Sequence, residues 1–367
     1  MKSFNLQILV LILLLTSCQG KQRKGFQETI EIDLEQLNRM PLSQFVSDVT
    51  VIPLETNNQT IIGQISKIQI FNNQLYILDE LSNSIMIFDK NGKFIKKLNK
   101  IGQGPGEYIR LKDFEVNENG LYILDISGRK INHYDTNLNF ITKTNLESIS
   151  SYFTINDNFY WLYNEPNLSS NYYQLTKIDQ HGKVSVKDFQ KKASADSHEY
   201  NWSSSHVFQK NNTEFYFSPP YSNSIYIEKG DDWLNAFTFS FGKKTFPKNK
   251  NINDYNIADD DFPFIIRENF YCSEKYLIID FLFKNKCQFA FFDKESKKVH
   301  SGVINNDLIS EYDRFFPRFL TGNCFIEIVD AEYILTDFQG LIPFNKNLEK
   351  LQEDDNPILV LYSLKRS

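Results

Sequence analysis

"LYILDELSNSIMIFDKNGKFIKKL" (75–98) and "LYILDISGRKINHYDTNLNFITKT" (121–144) decide how this chain is built. They align without a gap: Tyr76 falls on Tyr122, Asp79 on Asp125, Ile85 on Ile131, Asp89 on Asp135 and Phe94 on Phe140, a period of 46 residues. The pattern recurs. "EFYFSPPYSNSIYI" (214–227) carries Ser-Asn-Ser-Ile at the same offset, and "KIDQHGKV" (177–184) echoes "IFDKNGKF" (87–94). "YLIIDFLFKNKCQFAFFDKESKKV" (276–299) fits with a longer first hairpin, and "EYILTDF" (332–338) reads as a sixth start. A unit of this size cannot bury its apolar faces alone, so neighbouring copies must stack.

Each copy is written in strands. "LYILD" and "IMIFD" are short, rich in Ile, Tyr and Phe, and bounded by Asn, Ser, Asp and Gly. "DKNGK" and "DQHGK" place Gly where a tight turn needs a positive φ, after an Asp that can bond the turn's backbone. Sustained helical periodicity is lacking; residues 34–47 offer room for one short helix. The prediction is an all-β, six-bladed β-propeller. Its first blade has strands A to D at 65–70, 75–79, 85–89 and 94–98. The last copy, with strands expected at 324–329, 332–338 and 357–365, lacks a fourth. The unclaimed "DVTVIPLE" (48–55) supplies it, residues 49–54 pairing with 358–364 to close the ring.

"IGQGPGEYIRL" (101–111) resembles a phosphate loop only superficially. Pro105 removes a donor, Glu107 places a negative charge where an anion would sit, and no Gly-Lys-Ser/Thr follows. It is read as the corner between the first two blades, with Gly permitting and Pro stiffening the turn.

The N-terminus is a targeting signal. Lys2 and the apolar run "LQILVLILLL" (6–15) end in "LTSC", which resembles the bacterial lipobox with Cys18 as the lipidated residue. Residues 1–17 are expected to be a signal peptide, 18–40 the lipidated end and tether, and 41–367 the propeller. The run is short for a comfortable membrane span, and no second one of spanning length follows. The other cysteines are Cys272, Cys287 and Cys324. Cys272 and Cys287 are expected at opposite ends of one strand, about 17 Å apart at ~3.3 Å per residue, hence free thiols.

The formal net charge of −6 and the lack of a basic patch argue against nucleic acid. Searches for a nucleophile elbow, a zinc-protease helix or a calcium loop find none. His181 takes the turn position of Asn91; His198 and His206 lie in "SHEYNWSSSH" (197–206), an aromatic loop. "DYNIADDDF" (254–262) reads as a solvated acidic loop; a Ca²⁺ site there has no further support, and no cofactor or metal is assigned. Asp79, Asp125 and Asp280 recur at one place in the repeat, which favours bracing a hairpin over acid–base catalysis. Trp161, Tyr163, Trp202, His206, Tyr221, Arg110, Arg267 and Arg318 fall near strand ends or in connections and are the candidate ligand contacts. Aromatic faces with Arg donors suit a glycan or peptide in a central funnel, although each alone is as readily packing or a surface ion pair.

Together "VIPLET" (51–56), "GQISKI" (63–68), "LYILD", "IFDKNGKFIKKL", "GQGPGEY" and "FSPPYSNSIY" (217–226) closely resemble the six-bladed β-propeller lipoproteins of Bacteroidetes. That family is itself similar to NHL-repeat propellers. The resemblance spans most of 48–365, best over 48–140 and 214–226. It implies a lipoprotein of the cell envelope and says little about activity. Gln19 in place of the Asp that resembles an inner-membrane retention signal, and the lack of an acidic export-like run in "QGKQRKG" (19–25), give the periplasmic side of the outer membrane as the expectation. The expectation is a monomeric, lipid-anchored, non-catalytic module binding a glycan, a peptide or an envelope protein. The alternative is a propeller lyase or hydrolase with its site in the central funnel.

Overall fold

The computed structural model describes residues 27–164, 172–191, 207–211, 213–220, 222–247, 255 and 262–366. Three strands come first: β1 (Glu28–Glu31), β2 (Asn38–Pro41) and β3 (Val46–Pro53). Blade 1 is β4 (Ile65–Phe71), β5 (Gln74–Asp79), β6 (Ser84–Asp89) and β7 (Phe94–Leu98). Blade 2 is β8 (Leu111–Asn117), β9 (Gly120–Asp125), β10 (Lys130–Tyr134) and β11 (Phe140–Asn145). Blade 3 is β12 (Ser150–Asn156), β13 (Phe159–Asn164), β14 (Tyr172–Asp179) and β15 (Val184–Lys191). Blade 4 is β16 (Phe208–Lys210), β17 (Phe215–Phe217), β18 (Ser224–Lys229) and β19 (Asp232–Ser240). Blade 5 is β20 (Arg267–Cys272), β21 (Tyr276–Phe283), β22 (Lys286–Asp293) and β23 (Val299–Asn305). Blade 6 is β24 (Phe319–Thr321), β25 (Cys324–Val329) and β26 (Ile358–Leu364), completed by β3. The fold is therefore a six-bladed propeller, each blade an antiparallel meander from the axis outwards.

The closure expected from the sequence is present: Val49 pairs with Tyr362, Val51 with Val360 and Ile52 with Leu359, all antiparallel. Strand periodicity explains the packing. In β5, Tyr76 and Leu78 face blade 2 and meet Phe114, Leu121 and Ile123. Leu75 and Ile77 face the other way and meet Ile326 and Leu359 of blade 6. Because successive side chains point to opposite faces and both faces are buried, "LYILD" is an unbroken apolar run instead of an alternating one.

Three expectations need correction. Residues 332–338 are not a strand: Ala331–Thr336 form a helix, α1. Ala331 and Ile334 are its buried positions, an i, i+3 spacing that fits one helical face. The strands of blade 6 shift accordingly, Cys324–Val329 becoming the second strand and Phe319–Thr321 the first. The short helix allowed within 34–47 shrinks to a single 3₁₀ turn at Leu42–Gln44. The segment read as tether up to residue 40 belongs in part to the propeller. β1 adds in parallel to the outer edge of β19, and β2 in parallel to the outer edge of β23.

Residues 28–53 thus run as a belt over the rims of blades 4, 5 and 6 in succession. Edge strands with free N–H and C=O groups invite unwanted pairing, and the belt covers two of them. Ile30, Met40, Leu42 and Phe45 are buried beneath it, and the Phe45 ring stacks on Phe291 with centroids 3.9 Å apart. The approach of β2 requires glycine at Gly302: φ is +147°, and an added Cβ would lie 1.7 Å from the Asn38 carbonyl oxygen.

Candidate functional site in the channel and on the loop face

A meander that starts at the axis sorts its connections by length. The first-to-second connections of all six blades and the third-to-fourth connections of blades 1 to 5 lie on one face and are two to five residues long. The second-to-third strand ends and the strand ends that lead from one blade to the next lie on the opposite face, where the longer described connections, 99–110, 306–318 and 330–357, are found. We call these the turn face and the loop face. On the turn face, Asp89, Asp135 and Asp179 each accept backbone N–H bonds from the residues two and four positions on, as the Asp-x-x-Gly pattern and its relative in blade 2 dictate. His181 is one of these donors and is a turn residue. On the loop face, Asp79 accepts from the Gly63 and Gln64 N–H groups, and Asp125 from those of Ile109, Arg110 and Gly128. Asp280 holds the Asn269 N–H in the same manner. These carboxylates brace the bulged starts of β4, β8 and β20.

The 101–108 corner is self-satisfied. Glu107 accepts the Gly104 N–H at 2.7 Å, so the loop's own carboxylate occupies the position an anion would take. A Cβ on Gly102 would lie 2.1 Å from that carboxylate. Tyr108 is buried and donates to the carbonyls of Asn83 and Leu98, fastening the corner to blade 1.

On the axis, residues of β4, β8, β12, β16 and β24 line a cavity of about 240 Å³. Each inner strand has one edge without a neighbouring strand, and in β8, β12 and β20 side chains of the preceding blade's inner strand accept N–H groups of that edge. Gln69 accepts the Val116 N–H at 3.0 Å, Asp113 that of Phe153 at 2.9 Å, and Glu115 that of Ile155 at 3.1 Å. Gln209 reaches the Cys272 N–H at a long 3.5 Å. Two lysines balance the carboxylates: Lys67 lies 2.7 Å from Asp113, and Lys210 bonds Glu115 and the Ile155 carbonyl. Asp113 is only 2% exposed. Burial pushes its carboxyl above the ordinary range, against the opposing pull of Lys67 and two backbone N–H groups. Ligand sites usually offer roughly 300–1,000 Å³. This smaller cavity, walled by mutually paired charges, is a polar seam that holds the ring together.

The structure separates the candidate residues. Trp161 is fully buried between blades 3 and 4, edge-on to Trp233 at 5.1 Å, with its Nε1 donating to Glu228 at 3.3 Å. Tyr163 is buried in the same layer, 6.2 Å from Phe217. Both point into the inter-blade core instead of a funnel, because β13 is the second strand of its blade and both its faces are covered. Arg267 is 2% exposed. Its Nε donates to the Ser222 carbonyl and its Nη2 to Ser218 Oγ at 2.8 Å, tying blade 5 to blade 4. Burial lowers its pKa to about 10, with Asp280 opposing the shift. Arg110 is exposed and 4.0 Å from Glu80; Arg318 is exposed, its guanidinium 5.7 Å from the Phe319 ring. All three arginines stand where an inner strand begins, at the loop-face mouth of blades 2, 5 and 6. Trp202, His206, Tyr221 and most of 254–262 lie outside the described residues. Among the described residues, no group of three His, Cys, Asp or Glu side chains is placed to hold a metal ion.

One cluster on the loop face escaped the sequence reading. Phe316 is 51% and Tyr333 46% exposed. Arg314 lies over both the Phe316 and Phe338 rings, 5.8 and 5.7 Å from their centroids, and Tyr333 adjoins Phe338 at 6.2 Å. The guanidinium is fixed from below by the fully buried Glu327, 2.8 Å from Arg314 Nε, which also accepts from Tyr362. Open aromatic faces around a positioned Arg can stack a sugar or an aromatic side chain and donate to its oxygens. The signal was hidden by the reading of 332–338 as a strand, which placed Tyr333 and Phe338 in a blade.

A protein of Bacteroides fragilis NCTC 9343 described as a "putative exported protein" has a similar structure: 20% identity, a TM-score of 0.71, and coverage of 93% of this chain and 100% of that one. A DUF4221 family member from Bacteroides vulgatus ATCC 8482 follows at 11% identity and a TM-score of 0.55, covering 87% and 97%. Virginiamycin B lyase from Staphylococcus aureus reaches a TM-score of only 0.43 at 11% identity, covering 85% and 99%, too slight a likeness to bear on chemistry. No curated protein sequence matches this chain. The family profile described as "Domain of unknown function (DUF4934)" matches residues 27–363, and the chain belongs to that family.

Proposed function

We propose that this chain is a lipid-anchored propeller of the cell envelope, held at the outer membrane through Cys18, that acts as a non-catalytic binding or protein-interaction module. The observation that carries the reading is that the channel's carboxylates are engaged by the neighbouring blade's backbone and by Lys67 and Lys210, leaving the loop face as the surface for ligands. The Bacteroides fragilis relative described as exported agrees with the signal-like N-terminus. The lipoprotein propellers that the motifs resemble carry the same expectation. The Arg314, Phe316 and Tyr333 cluster is the proposed contact for a glycan or an aromatic peptide. A thermal-shift and calorimetric screen of glycans and peptides against residues 25–367 tests this. The expected result is saturable binding of one class without turnover, weakened at least tenfold by Phe316→Ala or Tyr333→Ala. Turnover of a ligand, abolished by substitution of Asp113 or Glu115, would instead establish the enzyme.

A further inference from the structure

The belt fixes the side from which the chain enters the propeller. β1 runs parallel to β19, with Glu28 opposite Phe237 and Glu31 opposite Ser240. β19 starts at Asp232, next to the turn face, and ends at Ser240, at the loop face. β1 therefore runs from the turn-face side toward the loop face on the rim of blade 4, and Glu28 is its end nearer the turn face. Glu28 is held there from the next blade: its carboxylate lies 3.0 Å from Nζ of Lys297, in the turn-face hairpin between β22 and β23. Glu28 is only ten positions after Cys18, with nine residues between them. Fully extended, that stretch reaches about 35 Å at ~3.5 Å per residue, and Glu28, opposite Phe237, stands five residues of β19, about 17 Å, from that strand's turn-face start.

We infer that the turn face, on its blade 4–5 side, is the surface this protein lays toward the membrane, and that the loop face with Arg314, Phe316 and Tyr333 points away from it toward partners. This rests on the proposed lipid at Cys18. The partner at the turn face is the lipid surface itself, reached because the stretch from Cys18 is short and β1 begins on that side.

The test uses the full lipidated chain in vesicles, with Cys272, Cys287 and Cys324 replaced by Ser and one fluorophore on an introduced cysteine. Glu295→Cys lies in the turn-face hairpin of blade 5 and Lys284→Cys in its loop-face hairpin. Both positions are exposed and sit at opposite ends of β22. With nitroxide-headgroup lipid as quencher, the expected result is at least threefold stronger quenching at position 295 than at position 284. Equal quenching, or stronger quenching at 284, overturns the orientation. The mass of the N-terminal peptide from the same preparation separates the two ideas. An unmodified Cys18 overturns the anchoring reading, whereas a lipidated Cys18 with reversed quenching overturns the orientation alone.

Discussion

Lys67 and Asp113 are 46 residues apart in the chain and 2.7 Å apart in space, each on the inner strand of its blade. The repeat period and the ion pair are the same fact: equivalent positions of successive blades are neighbours around the axis. Gln69 stands in the same relation to Glu115, whose carboxylate then serves the Ile155 N–H one blade further on. Side chains at these two positions seal the inner edges.

The first prediction concerns that seam. Lys67 is partly open to water, with 21% of its side chain exposed, whereas Asp113 is almost wholly buried. Removing the lysine by Lys67→Met therefore strands a buried carboxylate, and the expected loss is about 3 kcal/mol in urea unfolding. Asp113→Asn should cost less, because the carboxamide is neutral and its oxygen still accepts the Phe153 N–H. A Lys67→Met variant within about 0.5 kcal/mol of the wild type, the size of an ordinary surface change, would show the pair to be dispensable.

The belt supplies the second. Phe45 is fully buried on the Phe291 ring, so Phe45→Ala is expected to cost about 3–5 kcal/mol. Gly302→Ala acts from the other side, pushing a methyl group against the Asn38 carbonyl and displacing β2. Trypsin should then cut after Arg39 at a rate well above that of the wild type, while the circular dichroism of the blades is kept. Unchanged cleavage at Arg39 would mean that β2 tolerates the methyl group.

How far the sequence could be read follows from these residues. Blade number, the first blade's strands and the closing pair were legible because their cues are local: a two-residue alternation, an Asp before a turn glycine, and a fixed period. The belt was not. β1 and β2 are four residues each, and "ETIE" and "NRMP" become strands only because β19 and β23 offer an open edge far along the chain. The helix α1 was missed because Tyr333, Ile334 and Leu335 are adjacent apolar residues, which fit a buried strand as well as a short helix. Trp161 and Arg267 were chosen as ligand contacts for their chemistry, yet burial between blades uses the same chemistry for packing and bracing. The seam had a visible cue, since Lys67 and Asp113 are charged residues inside apolar strands exactly one repeat apart, but the alignment began eight residues too late to include them.

Thiol reactivity gives the third prediction. Cys272 opposes Leu277 and Cys287 opposes Leu282, so the two lie toward opposite ends of β21, and both are free, as is Cys324. Burial pushes all three thiols up to about 12, with Lys294 partly opposing the shift at Cys272. At pH 8 almost no thiolate forms, and an aromatic disulfide reagent should find these three slow in the native protein. Unfolding should release all three within the mixing time. Fast native labelling of Cys272 would show that blades 4 and 5 open locally.

The last prediction is a pH dependence localised at the junction of belt and blade. Asp307, just after β23, accepts the Ser43 N–H at 2.8 Å and the Ser43 hydroxyl at 2.5 Å, pinning the 3₁₀ turn that precedes β3. Partial burial would raise its pKa, but the bonds from Ser43 more than offset this, and the net effect is a value below the ordinary 3.8. A folded-state pKa below the unfolded one means that the unfolded chain binds the proton first. The stabilisation is therefore complete above about pH 4 and disappears as pH falls through the depressed value. Thermal unfolding of wild type and Asp307→Asn from pH 7 down to pH 3 reads this directly. The gap in Tm should be constant down to about pH 4 and then close. A gap that persists unchanged into acid would show that the asparagine variant weakens the junction by its shape alone, and that the charge on Asp307 has no part in holding the belt.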